Sequence, residues 1–574
     1  MGTVAAAAVA STFATTFGEP PAEPRVRLKQ FAYGDVTITD GPLKVQFDHT
    51  LAYFMALDED RVLKVYRQRT GLAAPGKDMG GWYDPNNFAP GHSFGQWVSG
   101  LARFFAATGD EKVRQKVERL IDGFDQTLQG PRSFYEDHPY RAYCYDKHVL
   151  GLLDAYHLAG IDRAHDILTR ATDQAIKYLP ERAETRAEQA THPHKDIRYT
   201  WDEAYTLAEN LFLAHEITGE PRYLEMAKRY LHDKPYFDPL ARGQNVLPGL
   251  HAYSHVNALS SAAKGYLVLG DEKYLHTVTN AWDMLEKTQS FASGGWGPNE
   301  EFVAPGNGLL GKSILSTHNH FETPCGAYAH FKLARYLMRI TGESHYGDGL
   351  ERMLYNGILA AKEMGPEGQT FYYSDYSPLA RKQYRDARWP CCSGTYPQVV
   401  ADYLVSIYMH DVRGVYVNLY APSEVKWNKV RLTQETSYPE GDTTRITVRG
   451  SSEFSIHLRV PRWTSGMQIS VNGEMQRVPI RPGEFVEVRR NWREGDVLEA
   501  RIPLITREEP VDEQYPNLVA AMRGPLMLVA AIDPEVKVLA DAGGDVQTTS
   551  STRMMPFYRV TDEAYTTYLT KGEP

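Results

Sequence analysis

Five glycines set the frame of this chain. Gly109, Gly160, Gly219, Gly270 and Gly342 each follow a segment whose apolar residues recur at three- and four-residue spacing. Those segments are Phe94 to Ala107, His148 to Leu158, Ala204 to Ile217, Val256 to Leu269 and Tyr328 to Ile340. A glycine just past such a run is the usual left-handed cap of a helix. Second helical patterns follow several caps, in Glu111 to Phe124, Arg163 to Tyr178 and Arg222 to Leu231. The caps lie 51, 59, 51 and 72 residues apart, so the chain reads as helix pairs with a steady period, as in a closed toroid. A sixth pair is expected from Val399 to Met409 with an early helix near His49 to Leu57. The expectation is an (α/α)6 helical barrel over residues 31–412. The longest interval holds an insertion, Phe291 to Pro324, rich in Gly, Asn and His. Insertions on one rim of a barrel commonly build a site.

After about Gly414 the apolar period changes from helical to two. Gly414 to Tyr420, Arg445 to Arg449, Glu453 to Val460, Met467 to Val471, Phe485 to Val488 and Val497 to Ile502 read as strands, and Val471-Asn472-Gly473 is a hairpin signal. Residues 413–510 are expected to form a jelly-roll-like β-sandwich, and 511–574 further β elements and a tail. At the other end, Met1 to Phe17 carries no charge and is rich in Ala, Thr and Val, and Pro20 to Pro24 reads as a linker. Residues 1–30 are therefore expected to be the remnant of a secretory signal and its linker, with the mature chain exported to the periplasm or beyond. No window of roughly 20 apolar residues marks a membrane span. A net charge of -10 would repel a phosphate backbone, which argues against nucleic acid as partner. The 36 tyrosines and 9 tryptophans suit packed cores, and they also suit clefts in which flat rings face sugars.

The chemistry gathers on few residues. There are four cysteines, Cys144, Cys325, Cys391 and Cys392. Adjacent cysteines strain if bridged to each other, so Cys391-Cys392 points to metal binding or catalysis. Glu322 and Cys325, three apart at a helix start, can face the same way. Three thiolates and a carboxylate are a workable zinc set, structural or catalytic, and His318 or His320 could replace one ligand. An adjacent pair suggests divided tasks, one sulfur a firm ligand and the other free to attack substrate. In Gly294-Gly295-Trp296-Gly297-Pro298-Asn299-Glu300-Glu301-Phe302, glycines permit close backbone approach and either glutamate is a candidate general acid. His148 and His255 stand where barrel helices are expected to begin, on the rim facing a pocket.

These segments resemble glycoside hydrolase family 127, the β-L-arabinofuranosidases. The resemblance rests on the glycine-rich loop with Glu300-Glu301-Phe302, on Phe321-Glu322-Thr323-Pro324-Cys325, and on Trp389-Pro390-Cys391-Cys392-Ser393-Gly394. It implies Cys391 as nucleophile, Glu300 as acid/base, and Zn2+ held by Glu322, Cys325, Cys391 and Cys392. It also implies that His148 and His255 contact sugar. The substrate implied is a terminal β-L-arabinofuranosyl or related residue on a plant-type glycan, cleaved with retention. The family's best-known members have one residue between the ligand Glu and Cys, where this chain has Thr323 and Pro324. Two other readings compete: another (α/α)6-barrel carbohydrate enzyme, such as a polysaccharide lyase or unsaturated-uronide hydrolase, and a non-catalytic sugar-binding protein with structural zinc.

Overall fold

The structure, a computed structural model, describes residues 25–191, 202–532 and 553–571. The expected signal remnant, the Pro20 to Pro24 linker and the tail segment Asp541 to Ser551 lie outside them.

Six helices, Phe94–Thr108, Arg141–His157, Leu207–Thr218, Ala252–Leu269, Thr323–Thr341 and Cys392–Ala401, pack side by side in chain order, and the last closes onto the first. These inner helices are apolar nearly all round. Every residue from Ala252 to Leu267 is buried, for example. The outer helices are one-sided: Glu272–Thr288 buries Tyr274, Thr277, Val278, Ala281, Trp282 and Leu285, at three- and four-residue spacing. Glu111–Leu128, Arg163–Ala175, Pro221–Arg229, Glu272–Thr288 and His345–Met353 each pack against the inner helix before them, and Gly41–Met55 covers the closure. This is the (α/α)6 barrel. The five cap glycines all adopt positive φ, between 62° and 76°. The sixth inner helix starts at Cys392, well before the apolar pattern from Val399, because its first turn is made of small and polar residues.

Asp402, just past that helix, ties the barrel together at the end away from the helix starts. It accepts hydrogen bonds from Arg103 Nη1 at 2.9 Å, Arg335 Nη2 at 2.5 Å and Tyr33 Oη at 2.6 Å. Burial alone would raise its pKa, but the two guanidiniums and the hydrogen bonds hold it below the ordinary aspartate value. That stabilisation is complete above the unfolded carboxyl value, near 4, and is lost as pH falls through the lower folded value. Asp402→Ala leaves buried guanidiniums short of their counter-charge and is expected to cost about 3–5 kcal/mol. A lowered urea midpoint for the barrel would show it, and an unchanged midpoint would refute it.

The sandwich packs a five-stranded sheet, ordered Lys29–Gln30, Tyr408–His410, Gly414–Val417, Ser452–Arg459, Phe485–Trp492, against a seven-stranded one. The second runs Glu474–Met475, Gln468–Val471, Val497–Arg501, Thr443–Arg449, Val430–Thr436, Ser423–Trp427, Val36–Ile38. Two strands thus come from the N-terminal segment. This corrects the division that gave residue 31 onward wholly to the barrel and 1–30 to a linker, since strands of two or three residues are too short to show a period. A third sheet is built on Thr506–Pro510, Leu518–Arg523, Leu526–Ile532 and Arg553–Pro556, with Ala564–Thr566 and Tyr568–Thr570 added. No helix among the described residues is long and apolar enough to cross a membrane.

Candidate active site

The N-terminal ends of the inner helices share one rim, and a cavity of about 380 Å³ opens there. Strand Phe321–Glu322 pairs with Tyr373–Ser374 and runs directly into helix Thr323–Thr341. Glu322 is the N-cap, and Pro324 sits in the first turn, where its missing N–H is harmless. Cys325 is the third helical residue, so the two-residue spacer still leaves Glu322 and Cys325 on one face. Ahead of the last inner helix, Trp389 takes a left-handed φ of 50° and its buried indole donates to the Met79 carbonyl at 3.0 Å. Cys391 caps that helix and Cys392 is its first residue. Two positive helix ends therefore meet at the cluster, which favours thiolate and carboxylate.

Glu322, Cys325, Cys391 and Cys392 offer four ligand atoms all within 4.8 Å of one another. Cys391 Sγ lies 3.1 Å and Cys392 Sγ 3.7 Å from Glu322 Oε1, and Thr395 Oγ1 donates to Cys325 Sγ at 3.3 Å. Glu322 Oε2 is buried with no hydrogen-bond partner among the described residues. An orphaned carboxylate oxygen beside three sulfurs fits a metal site, and one carboxylate with three thiolates suits the borderline-soft, tetrahedral zinc ion. Without the ion, burial and the Cys391 charge push Glu322 well above the usual carboxyl value. Burial alone would raise Cys391 too, but hydrogen bonds from Cys325, Cys392, Tyr372 and Glu322 hold it well below the ordinary thiol value. Cys391 is also the one partly exposed member, and it faces the cavity. Cys144 is a free, buried thiol beside His138, apart from this cluster, and burial pushes its pKa up.

Glu300 lines the cavity, whereas Glu301 is exposed and bridges to His251 through its backbone. The loop that delivers Glu300 turns through Gly294, Gly297, Asn299 (φ 55°) and Glu300 itself (φ 66°). A Cβ at Gly297 would lie 2.4 Å from that of Ala252, so the loop sits directly on a helix start. Tyr373 Oη donates to Glu300 Oε1, Arg385 Nη1 lies 3.8 Å from the same oxygen, and His251 Nε2 lies 3.5 Å from Oε2. Burial would raise Glu300, but His251, Tyr373 and Arg385 outweigh it and hold the carboxyl at about 2. Burial would lower His251, yet Glu203, 3.1 Å from its Nδ1, and Glu300 raise it above the ordinary imidazole value. Glu203 is held at about 2: burial works against this, and the hydrogen bond from His251 prevails.

The expected histidines are elsewhere. His148 is buried in the second turn of Arg141–His157, with Nε2 and Nδ1 each 2.7 Å from the hydroxyls of Tyr66 and Tyr135. His255 Nδ1 lies 2.8 Å from the His251 carbonyl oxygen, and its ring packs on Tyr205 and Tyr236. Neither lines the cavity, which corrects their placement on the rim. The apolar pattern starts these helices several residues late, because their first turns bury polar residues such as Asp146, Lys147, Ser254 and His255 among apolar ones and so break the period. The helices begin at Arg141 and Ala252, and the rim residues are Tyr143 and His251. His320 is buried and accepts from the Tyr376 N–H at 2.9 Å, and His318 is exposed beside Asp375, so neither joins the sulfur cluster. Sequence reasoning also missed Glu203, Arg385, His92, Tyr372 and Tyr373. Only the aromatic run Phe371-Tyr372-Tyr373 offered a signal.

Comparison with known families and structures identifies the family and the fold. The family profile "Beta-L-arabinofuranosidase, GH127 catalytic domain" matches residues 35–404, and the GH127 middle domain matches 414–504. The GH127 β-arabinofuranosidase BT3674 superposes with a TM-score of 0.72 at 19% identity, over 96% of this chain and 98% of that one. A GH127 β-L-arabinofuranosidase from Geobacillus stearothermophilus T6 does so with a TM-score of 0.68 at 19% identity, over 94% and 100%. Comparison with curated protein sequences returns no match.

Proposed function

The chain belongs to the GH127 β-L-arabinofuranosidase family, and from that premise we propose that it releases terminal β-L-arabinofuranosyl or closely related units from plant-type glycans with retention. It is a glycoside hydrolase, and its substrate is carbohydrate. The observation that carries the proposal is one cavity lined by both Cys391, the partly exposed thiol of the cluster, and Glu300, a partly buried carboxyl in contact with His251 and Tyr373.

In this reading the Cys391 thiolate attacks the anomeric carbon while Glu300 gives a proton to the leaving oxygen. The C–S bond forms as the C–O bond breaks, leaving a glycosyl thioether. Glu300, now a carboxylate, takes a proton from water, the water oxygen attacks the same carbon, and the thiolate departs. A carboxyl held at about 2 rests ionised, so its proton must come from a neighbour. His251, 3.5 Å away and raised in pKa by Glu203 and Glu300, is placed to hold that proton and share it with Glu300. Tyr372 Oη, 3.4 Å from Cys391 Sγ, and the helix start steady the thiolate. Glu322, Cys325, Cys391 and Cys392 would hold zinc, which would keep the sulfur deprotonated at neutral pH.

The test is hydrolysis of an aryl-glycoside panel by zinc-loaded and chelator-stripped protein. Release from the β-L-arabinofuranoside is expected, with on the order of a tenfold loss or more after stripping. Release from another furanoside alone would overturn the sugar, and full activity in the stripped, metal-free protein would overturn the zinc.

A further inference from the structure

The third sheet lies beyond both matched family regions, yet it grips the barrel at three places around Glu300. Buried Tyr568 accepts the Ala292 N–H through its Oη at 2.9 Å, where the glycine-rich loop begins. Beyond that loop, Asp512 Oδ2 accepts the Gly311 N–H at 2.7 Å in the short helix Leu309–Ser316. Tyr515 lies so close that a Cβ on Gly311 would sit 2.3 Å from its ring. Thr317, which follows this helix, donates to Asn299 Oδ1 at 2.5 Å, and the Asn299 N–H reaches the Asn319 carbonyl at 2.7 Å. The third grip is on the segment after Tyr373: the Tyr565 N–H donates to the Ala380 carbonyl at 2.8 Å and Tyr565 Oη to the Asp375 carbonyl at 2.7 Å.

Asn299 and Glu300 both hold left-handed φ, a conformation non-glycine residues keep only where their surroundings over-determine it. The sheet supplies those surroundings from both ends of the loop and behind Tyr373. We propose that the C-terminal sheet is a clamp that sets the position of Glu300 and Tyr373, with Tyr568 and Asp512 as positioning residues. Neither lines the cavity, so both act through the loop. The catalytic consequence rests on the reading of Glu300 as acid/base, whereas the mechanical one does not.

Tyr568→Phe removes one hydroxyl and keeps the ring, and Asp512→Asn removes one charge and keeps the shape. Two readouts separate the levels. In both variants, backbone hydrogen exchange of residues 291–303 is expected to quicken by roughly tenfold, with the inner helices unchanged. The ratio of kcat on poor to good aryl leaving groups is expected to fall by about tenfold while KM stays within about twofold. A merely structural weakening would lower both substrates alike and move Tm instead. Unchanged loop exchange in both variants would overturn the clamp. Quickened exchange with an unmoved leaving-group ratio would support the clamp and count against Glu300 as the acid.

Discussion

Cys391→Ala is expected to lower turnover by on the order of 10⁴-fold or more, with the protein still folded. The reason is positional. Among the four residues of the cluster, Cys391 holds the only sulfur partly open to the cavity, it caps a helix whose positive end favours thiolate, and its pKa is held below that of an ordinary thiol. Alanine removes the sulfur proposed to attack and leaves Glu322, Cys325 and Cys392 in place, so the loss should appear in kcat and not as unfolding. Mass spectrometry of wild-type protein quenched during turnover should find a glycosyl adduct on Cys391, and the variant should show none. Turnover near the wild-type rate in the alanine variant would remove Cys391 from the mechanism. Cys392→Ala is a different perturbation, because that sulfur is buried and its loss bears on the cluster itself.

Glu300→Gln should cost roughly 10² to 10⁴-fold on substrates with poor leaving groups and far less in the first step on activated aryl glycosides. A good leaving group departs without a proton, so only the second step then lacks its base. The glycosyl enzyme should accumulate, and azide, which needs no base, should restore turnover. Equal losses in the first step, read as kcat/KM, on good and poor leaving groups would exclude Glu300 as the acid. The pH profile supplies a second check. His251 is raised above the ordinary imidazole value of about 6.5, so the shared proton is present below its raised value and is lost as pH rises through it. Wild-type kcat/KM should therefore fall on that alkaline side, and the limb should be missing from Glu300→Gln.

The sequence carried the barrel because helix pairing leaves local marks. The cap glycines need positive φ, which disfavours other residues, and inner helices buried all round differ visibly from one-sided outer ones. It carried the sulfur cluster because few environments tolerate Cys391-Cys392, and because Glu322 and Cys325 flank a proline that suits a first helical turn. The rim histidines were misplaced for a physical reason: apolar period marks a helix only where its buried residues are apolar, and the first two turns here bury polar side chains such as Ser254, His255, Asp146 and Lys147. His251 is one turn ahead of His255 and Tyr143 is five residues ahead of His148, and those short distances separate a cavity wall from a packed interior.

What the sequence by itself determined, then, is the set of local conformations: which segments are helices, where they cap, and which side chains have the right chemistry. Only the tertiary structure decided which of those side chains meet. Glu203, His251, Glu300, Tyr373 and Arg385 come from four separate stretches of chain and become one charge network only when the barrel closes. The lowered pKa values of Glu300 and Cys391 arise from neighbours that outweigh burial and that no local pattern encodes.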